Sequence, residues 1–420
     1  MHLTIITIGT RGDVLPYIAL GLGLQRAGYR VRIAAQGIYA GLIESHGFEF
    51  APVAGDPRAT MESQSGQAWQ QSGRNALALI KSMRAVFAGE DMTASLNDTL
   101  KACEGTQAIL YAFFGTAGYH IARKLGVPSI FTLLQPFSRS HEVPSLGFPD
   151  LPLGRCYNGL THRMTEQMLW QLGGRPINRW RQESLGLPAL PASGPFAQVY
   201  REGEPHLYGF SRHVVPRPSD WPPSHRISGY WFLDPDPDWE PPETLRDFLA
   251  QGPKPIVIGF GSMSGETARA ITRTALEAVR LAGTRAVLLG GWAAFHRESL
   301  PDGVLALDYV PHPWLFPRVA AVVHHGGAGT TAAALGAGVP GLILPFTADQ
   351  PFWAQQLYRI GAGISPLSLR DLSPTLVAGA IEASLQNEDL QNRVIQIARQ
   401  IRDEDGIMNA CKIIEAVGQR

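Results

Sequence analysis

"AAVVHHGGAGTTAAALGAGVPGLILPFTADQPFWAQQ", running from Ala320 to Gln356, decides the fold class. Its apolar lead, Ala320 to Val323, ends in His324 and His325, as a buried strand would. The chain then passes through Gly326, Gly327 and Gly329 and opens onto a helix-like run at Thr330 and Thr331. "GLILPF" reads as the next strand, stopped by Pro345. Strand, glycine turn, helix and strand make a right-handed βαβ unit of a parallel sheet.

The chemistry of that junction follows from its residue types. Glycines let backbone approach a ligand closely. The free N–H groups of a first helical turn, with the helix dipole, attract anions. The hydroxyls of Thr330 and Thr331 and the ring of His325 would add side-chain donors, and the whole suits a diphosphate. The plainer reading is a tight turn beside a core histidine. His325, a glycine pair and a threonine pair at one strand end favour phosphate. Asp349 and Gln350 stand where the next helix should start. They could grip sugar hydroxyls, or they could be an N-cap and its neighbour. "IGFGSM" ends another strand and offers Ser262 to phosphate, without the full G-x-G-x-x-G fingerprint.

Working outward, the same alternation fills two stretches. Before residue 137 the strands are "LTIITIG", "YRVRIAA", "FEFAPVA", "QAILYAF" and "PSIFTLLQP", and after 255 they are "KPIVIGFG", "RAVLLGG", "VLALDY", "AAVVHH" and "GLILPF". The rhythm breaks between Asp56 and Asp98 and again between Phe137 and Pro195. Proline density jumps in "VPRPSDWPP" and "DPDPDWEPPE", which read as a connector without regular structure. An α/β protein with two parallel-sheet, Rossmann-like domains is expected, with ligands beyond the carboxyl ends of the strands. There, "TIGTRGDVLPY" places Asp13 on the first strand–helix loop. Asp13 is a candidate general base, or an N-cap with Pro16 in the first turn.

Composition narrows the partners. The 420 residues carry 36 basic and 36 acidic side chains, a formal net charge of zero that gives nucleic acid no electrostatic footprint. Three scattered cysteines, Cys103, Cys156 and Cys411, form neither a disulfide framework nor a metal knuckle. "MHLTIITIG" reads as a first strand rather than a leader, and no run approaches a membrane span. A cytoplasmic protein is expected, with peripheral membrane contact left open.

"GTRGDVLPYIALGLGLQRAGYRV" and "YVPHPWLFPRVAAVVHHGGAGTTAAALGAGVPGLILPFTADQPFW" resemble the family 1 glycosyltransferases, in particular the sterol 3-β-glucosyltransferase-like branch and the enzymes that glycosylate natural products. The resemblance implies a GT-B fold. It assigns 1–215 to an acceptor-binding domain, 216–254 to the proline-rich connector, 255–402 to a nucleotide-sugar domain and 403–420 to a helix returning to the first domain. By position, His325 and the backbone of Gly326, Gly327, Gly329 and Thr330 correspond to the diphosphate cradle, with Ser262 as a second phosphate contact. Asp349 and Gln350 correspond to the hexose grip, Tyr309 and Val310 to the nucleobase seat, and Asp13 to the catalytic base. Branches that use a histidine base orient it with an aspartate after a later strand. Here that strand continues "ILYAFFGTAGYH" with no aspartate, which leaves Asp13 to act more directly. His120 is a candidate neighbour or a plain helix histidine.

The expected reaction is inverting transfer of a hexose from UDP-glucose, or from a dTDP-sugar, to a hydroxyl of an apolar small molecule. No Asp-x-Asp motif sits at a cleft-facing strand end, and "DPDPD" at Asp234 lies in the connector. No cofactor and no metal are therefore expected. Two rivals share the cradle: a nucleotide-sugar 2-epimerase, which needs no acceptor cavity, and a non-catalytic sugar-nucleotide binder, which needs no Asp13. The tryptophans around Trp170 and Trp180, and Trp69, favour an apolar acceptor or belong to the core.

Overall fold

A computed structural model describes residues 1–71, 81–86, 92–263, 265–291, 300–369 and 371–418, so parts of the Asp56–Asp98 break and the last two residues lie outside the described residues. The chain divides into two compact units: 1–60 with 76–233 and 404–420, and 61–75 with 234–403.

The first unit holds a seven-stranded parallel sheet. Its strands are β1 (His2–Ile6), β2 (Arg30–Gln36), β3 (Glu49–Val53), β4 (Ala108–Tyr111), β5 (Ser129–Leu133), β6 (His206–Tyr208) and β7 (His225–Ile227), in the order β3-β2-β1-β4-β5-β6-β7. β4 and β5 are buried along their whole length and β1 along all but its first residue. That explains why they read as unbroken apolar runs rather than alternating ones. The strand order turns back between β1 and β4, so the loop after β1 lies at the switch point of the sheet.

Three sequence expectations are corrected here. The stretch Phe137–Pro195 is not irregular: it carries a 30-residue helix, Gly154–Glu183, with Pro176 inside it. The proline-rich stretch does contain regular elements, namely β7 and the helix Glu243–Ala250. The first helix begins at Arg11, so Pro16 sits in its interior rather than its first turn. Trp170 and Trp180 are core residues, 7% and 3% exposed. Trp69 packs against the apolar core of the second unit.

The last helix, Gly406–Gly418, lies against the first helix, Arg11–Arg26. A Cβ at Gly23 would stand 2.2 Å from Ile407 Cγ2, and Ala410 and Ile414 join the first unit's core. Just before it, Glu404 Oε1 accepts from the backbone N–H of Arg212 at 3.2 Å and from Arg212 Nε at 3.3 Å.

The second unit holds a five-stranded parallel sheet: β8 (Ile256–Gly259), β9 (Ala286–Leu289), β10 (Val304–Leu307), β11 (Val322–His324) and β12 (Gly341–Ile343), in the order β10-β9-β8-β11-β12. Its switch point falls between β8 and β11. His324 pairs with Gly259, so the loop carrying Ser262 and the turn carrying His325 leave neighbouring strand ends.

Candidate active site

In the second unit the ring of His325 is held between two glycines. A Cβ at Gly261 would lie 3.0 Å from His325 Cε1, and one at Gly327 would lie 2.5 Å from Nε2. No other residue leaves room for the ring at Gly327. His325 is 8% exposed, and its Nδ1 is buried with no hydrogen-bond partner. Burial, reinforced by His312, pushes its pKa down to about 4, so the ring is neutral at pH 7. His324 has a different task. It is fully buried, and its Nδ1 accepts the backbone N–H of Gly326 at 3.1 Å, which shapes the turn.

The helix Ala328–Ala337 starts at Gly327 with no side-chain cap. Thr331 N bonds to Gly327 O, while the N–H groups of Ala328, Gly329 and Thr330 have no acceptor among the described residues. Open donors at a helix start are an anion site. Thr330 is partly exposed, and its hydroxyl has no partner among the described residues; the same holds for Ser262. Thr331 departs from expectation. It is fully buried, and its hydroxyl donates to Gly327 O at 3.0 Å, so it braces the turn and has no donor left for a ligand.

The loop after β12 approaches the same turn, since a Cβ at Gly326 would stand 3.3 Å from Gln350 Cβ. Ala348 holds a left-handed φ of 57°, a strained setting for a residue with a Cβ. Asp349 follows it, partly exposed, with Oδ2 accepting from Trp353 Nε1 at 2.7 Å. Gln350 is buried and already occupied. Its Oε1 accepts from the N–H groups of Phe346 and Thr347 at 2.8 and 3.1 Å, and its Nε2 faces Met263 Sδ at 3.9 Å. Tyr309, beyond β10, is 48% exposed, whereas Val310 is fully buried beside Leu315 and Phe316. Val310 can therefore offer a ligand only its backbone.

In the first unit Thr10 is the N-cap, so Asp13 is neither the N-cap nor the loop residue expected; it is the third residue of the first helix, just past the β1 switch-point loop. Its Oδ2 accepts from the N–H of Thr10 at 2.7 Å and from Thr10 Oγ1 at 3.0 Å, forming a capping box at the helix start. Oδ1 makes no hydrogen bond among the described residues. A Cβ at Gly9, whose φ is +139°, would lie 2.4 Å from Asp13 Oδ2, so the folded-back carboxylate requires glycine there. Burial raises the carboxyl above its ordinary pKa, and the two Thr10 donors pull it part of the way back. His120 is buried in its helix. Its Nδ1 faces Arg181 Nη1 at 2.9 Å, and burial with that guanidinium pushes its pKa down to about 3.

A model of the glycosyltransferase family 28 N-terminal domain matches residues 3–140, and a model of the erythromycin biosynthesis protein CIII-like C-terminal domain matches residues 289–410. The chain is 35% identical to a sterol 3-beta-glucosyltransferase of Emericella nidulans over 99% of its own length, and 34% identical to one of Cryptococcus neoformans. It spans 30% and 27% of the length of these relatives. Its fold matches that of the kitacinnamycin glycosyltransferase, with a TM-score of 0.71 at 20% identity over 99% of this chain and 98% of that one. It also matches SsfS6 of Streptomyces sp. SF2575 complexed with thymidine diphosphate, with a TM-score of 0.66 at 18% identity over 99% of each chain. The chain has the GT-B fold of these glycosyltransferase structures.

On this fold the structure gathers Ser262, His325, the turn from Gly326 to Thr330, Asp349 and Gln350 around one switch point. Tyr309 stands at the edge strand, two strands from β8. Sequence reasoning missed Gly261 and Ala348. Gly261 was legible as the second glycine of "GFGS", one residue before Ser262. Ala348 carries no signal in its residue type.

Proposed function

We propose that the chain transfers a hexose from a nucleotide-diphosphate sugar, UDP-glucose first and a dTDP-sugar as the alternative, to a hydroxyl of an apolar small molecule of sterol-like, polyketide, macrolide or lipid type. The observation that carries this reading is the uncapped helix start at Gly327. Its three open N–H groups lie beside a neutral histidine with an orphaned ring nitrogen. That set supplies donors for a diphosphate without requiring a cation. Kinship to sterol glucosyltransferases supports the acceptor class, and thymidine diphosphate in a structural neighbour supports the donor class.

The acceptor oxygen attacks the anomeric carbon from the face opposite the diphosphate, which inverts the configuration. The new carbon–oxygen bond forms as the bond to phosphate oxygen breaks. The acceptor proton passes to Asp13, whose Oδ1 is unengaged and whose raised pKa suits a base. Such assistance is worth roughly 10²–10⁴-fold. Negative charge gathers on the departing diphosphate. The N–H groups of Ala328, Gly329 and Thr330 and a hydrogen bond from His325 stabilise it in the manner of an oxyanion hole. Asp349 serves the sugar hydroxyls. Gln350 contributes by holding the 346–347 backbone, with at most its Nε2 turned to the sugar. Tyr309 offers its exposed ring to the nucleobase.

The test is product formation by the purified chain from UDP-glucose and dTDP-glucose with a panel of hydroxylated apolar acceptors, with and without EDTA. Glycoside of inverted configuration at an unchanged rate in EDTA is expected. Loss of activity in EDTA, restored by Mg²⁺, would move charge compensation from the helix start to a metal. Epimerised donor without glycoside would favour the epimerase reading.

A further inference from the structure

A single peptide group links Asp13 to the neighbouring strand. The Gly9–Thr10 peptide donates its N–H, on Thr10, to Asp13 Oδ2 at 2.7 Å, and its C=O, on Gly9, accepts from Tyr39 Oη at 3.2 Å. A peptide is planar, so the Tyr39 hydroxyl and the Asp13 carboxylate sit at opposite ends of one rigid unit. The peptide before it is held as well, because the N–H of Gly9 donates to Gln36 Oε1 at 3.2 Å. Gly9 is thus clamped on both sides in the φ of +139° that lets Asp13 Oδ2 lie against it. Both clamps leave the same strand end. Gln36 is the last residue of β2, and Tyr39 closes the 3₁₀ turn Gly37–Tyr39 that follows. Both side chains are buried.

The direction of these bonds does more than close a loop. A hydroxyl that donates to a carbonyl polarises the peptide and strengthens the N–H at its other end. The run from Tyr39 Oη through the Gly9–Thr10 peptide therefore engages Asp13 Oδ2 and leaves Oδ1 open. Burial first, then the charges of Asp13 and Asp56 against an opposing Arg11, raise the Tyr39 hydroxyl above its ordinary pKa, so it stays a donor at neutral pH. The other hydroxyl that feels the Asp13 charge, Tyr17 on the same helix, is raised chiefly by burial and is spent on Thr132 O at 2.9 Å. After β4 the chain runs "AFFGTAGYH", with no aspartate to orient a base. Gln36 and Tyr39 stand where that orienting task can be done from the other side of β1.

We propose that Gln36 and Tyr39 are positioning residues for the Asp13 carboxylate, acting through the Gly9–Thr10 peptide to hold Oδ2 and leave Oδ1 for the acceptor proton. This rests on the reading of Asp13 as the base, but the positioning is measured apart from transfer. The experiment titrates the Asp13 carboxyl carbon by NMR in the parent, Tyr39→Phe and Gln36→Leu, its resonance being the one missing from Asp13→Asn. Melting, UDP titration and transfer from UDP-glucose to cholesterol are followed on the same preparations. Loss of an aligned donor to a buried carboxylate raises its pKa. Both variants should therefore titrate at higher pH than the parent. Their kcat should fall roughly ten- to hundredfold, with KM and UDP affinity unchanged. Gln36→Glu keeps an acceptor for the Gly9 N–H and should recover kcat in mildly alkaline buffer. Adding Tyr39→Phe to Asp13→Asn should cost nothing further. Tyr39→Phe removes one oxygen only, and it decides the matter if Gln36→Leu melts early. An unmoved carboxyl midpoint in a folded Tyr39→Phe would overturn the proposal, as would a further loss in the double variant. Near-normal transfer by Asp13→Asn, or none by the parent, would instead tell against the transferase reading, and the carboxyl titration alone would then decide the positioning.

Discussion

At the scale of single residues, Asp13 carries two jobs that one substitution can separate. Its carboxylate caps the first helix through Thr10, and in the proposed reaction it takes the acceptor proton. Asn at this third helical position keeps a side-chain oxygen that can accept the Thr10 N–H. Asp13→Asn should therefore melt within a few degrees of the parent and bind UDP normally, yet transfer sugar at least ~100-fold more slowly. Melting, UDP titration and transfer rate on one preparation check this. Near-normal transfer would leave Asp13 as a cap only. His120 would not inherit the role easily, because a ring held near pKa 3 by burial and Arg181 is a weak base.

At the scale of elements, the helix start at Gly327 divides its two threonines. The Thr331 hydroxyl is buried and bonded inside the turn, while the Thr330 hydroxyl is open. Thr331→Val should lower stability by about 1 kcal/mol, the loss of one hydrogen bond. Thr330→Val should leave stability alone and weaken donor binding. Denaturant melts and nucleotide titrations of both variants test the division, and equal effects on binding would erase it. The sequence showed two threonines in a first turn but not which way each one faced. That depends on the helix phase, set by where Gly327 ends the turn. Val310 and Gln350 show the same limit: their positions along the chain were legible, but not that the Val310 side chain is buried or that Gln350 Oε1 is taken by the Phe346 and Thr347 N–H groups. The strands were legible wherever burial on both faces made them continuous apolar runs. The 30-residue helix was hidden because its buried face carries Asn158, Thr161, His162 and Glu166, and Gly159, Gly173, Gly174 and Pro176 interrupt it. β6 and β7 were hidden because "HLY" and "HRI" stand among polar residues and prolines with no continuous apolar run, unlike the equally short β11 and β12.

At the scale of the whole molecule, burial of imidazoles sets the response to acid. His120, His225 and His325 are pushed down to about 3, 4 and 4, and His206 and His324 fall well below 6.5, each chiefly by burial. The unfolded chain takes up these protons near pH 6.5 and the folded chain does not. Stability is therefore fully present above pH 6.5 and falls as pH drops from 6.5 toward 4, by about 1.4 kcal/mol per pH unit for each ring. Asp13, Glu166 and Glu204 are raised by burial and act in the opposite sense, but these carboxyls are outnumbered by the lowered rings, which include His2 and His162 as well. Urea midpoints should hold level above pH 6.5 and fall steadily from there to pH 5. A flat profile would mean that these rings are solvated in solution.

The donor seat at the second sheet's switch point is the claim on which the rest depends. It is tested most directly by calorimetric titration of UDP and dTDP into the parent and His325→Ala, with melting to confirm the fold. A hydrogen bond to a charged phosphate is worth about 1.5–3 kcal/mol. The account predicts measurable binding of at least one nucleotide to the parent and roughly ten- to hundredfold weaker binding to His325→Ala. Equal affinity in the two proteins, or no nucleotide binding by a folded parent, would contradict it.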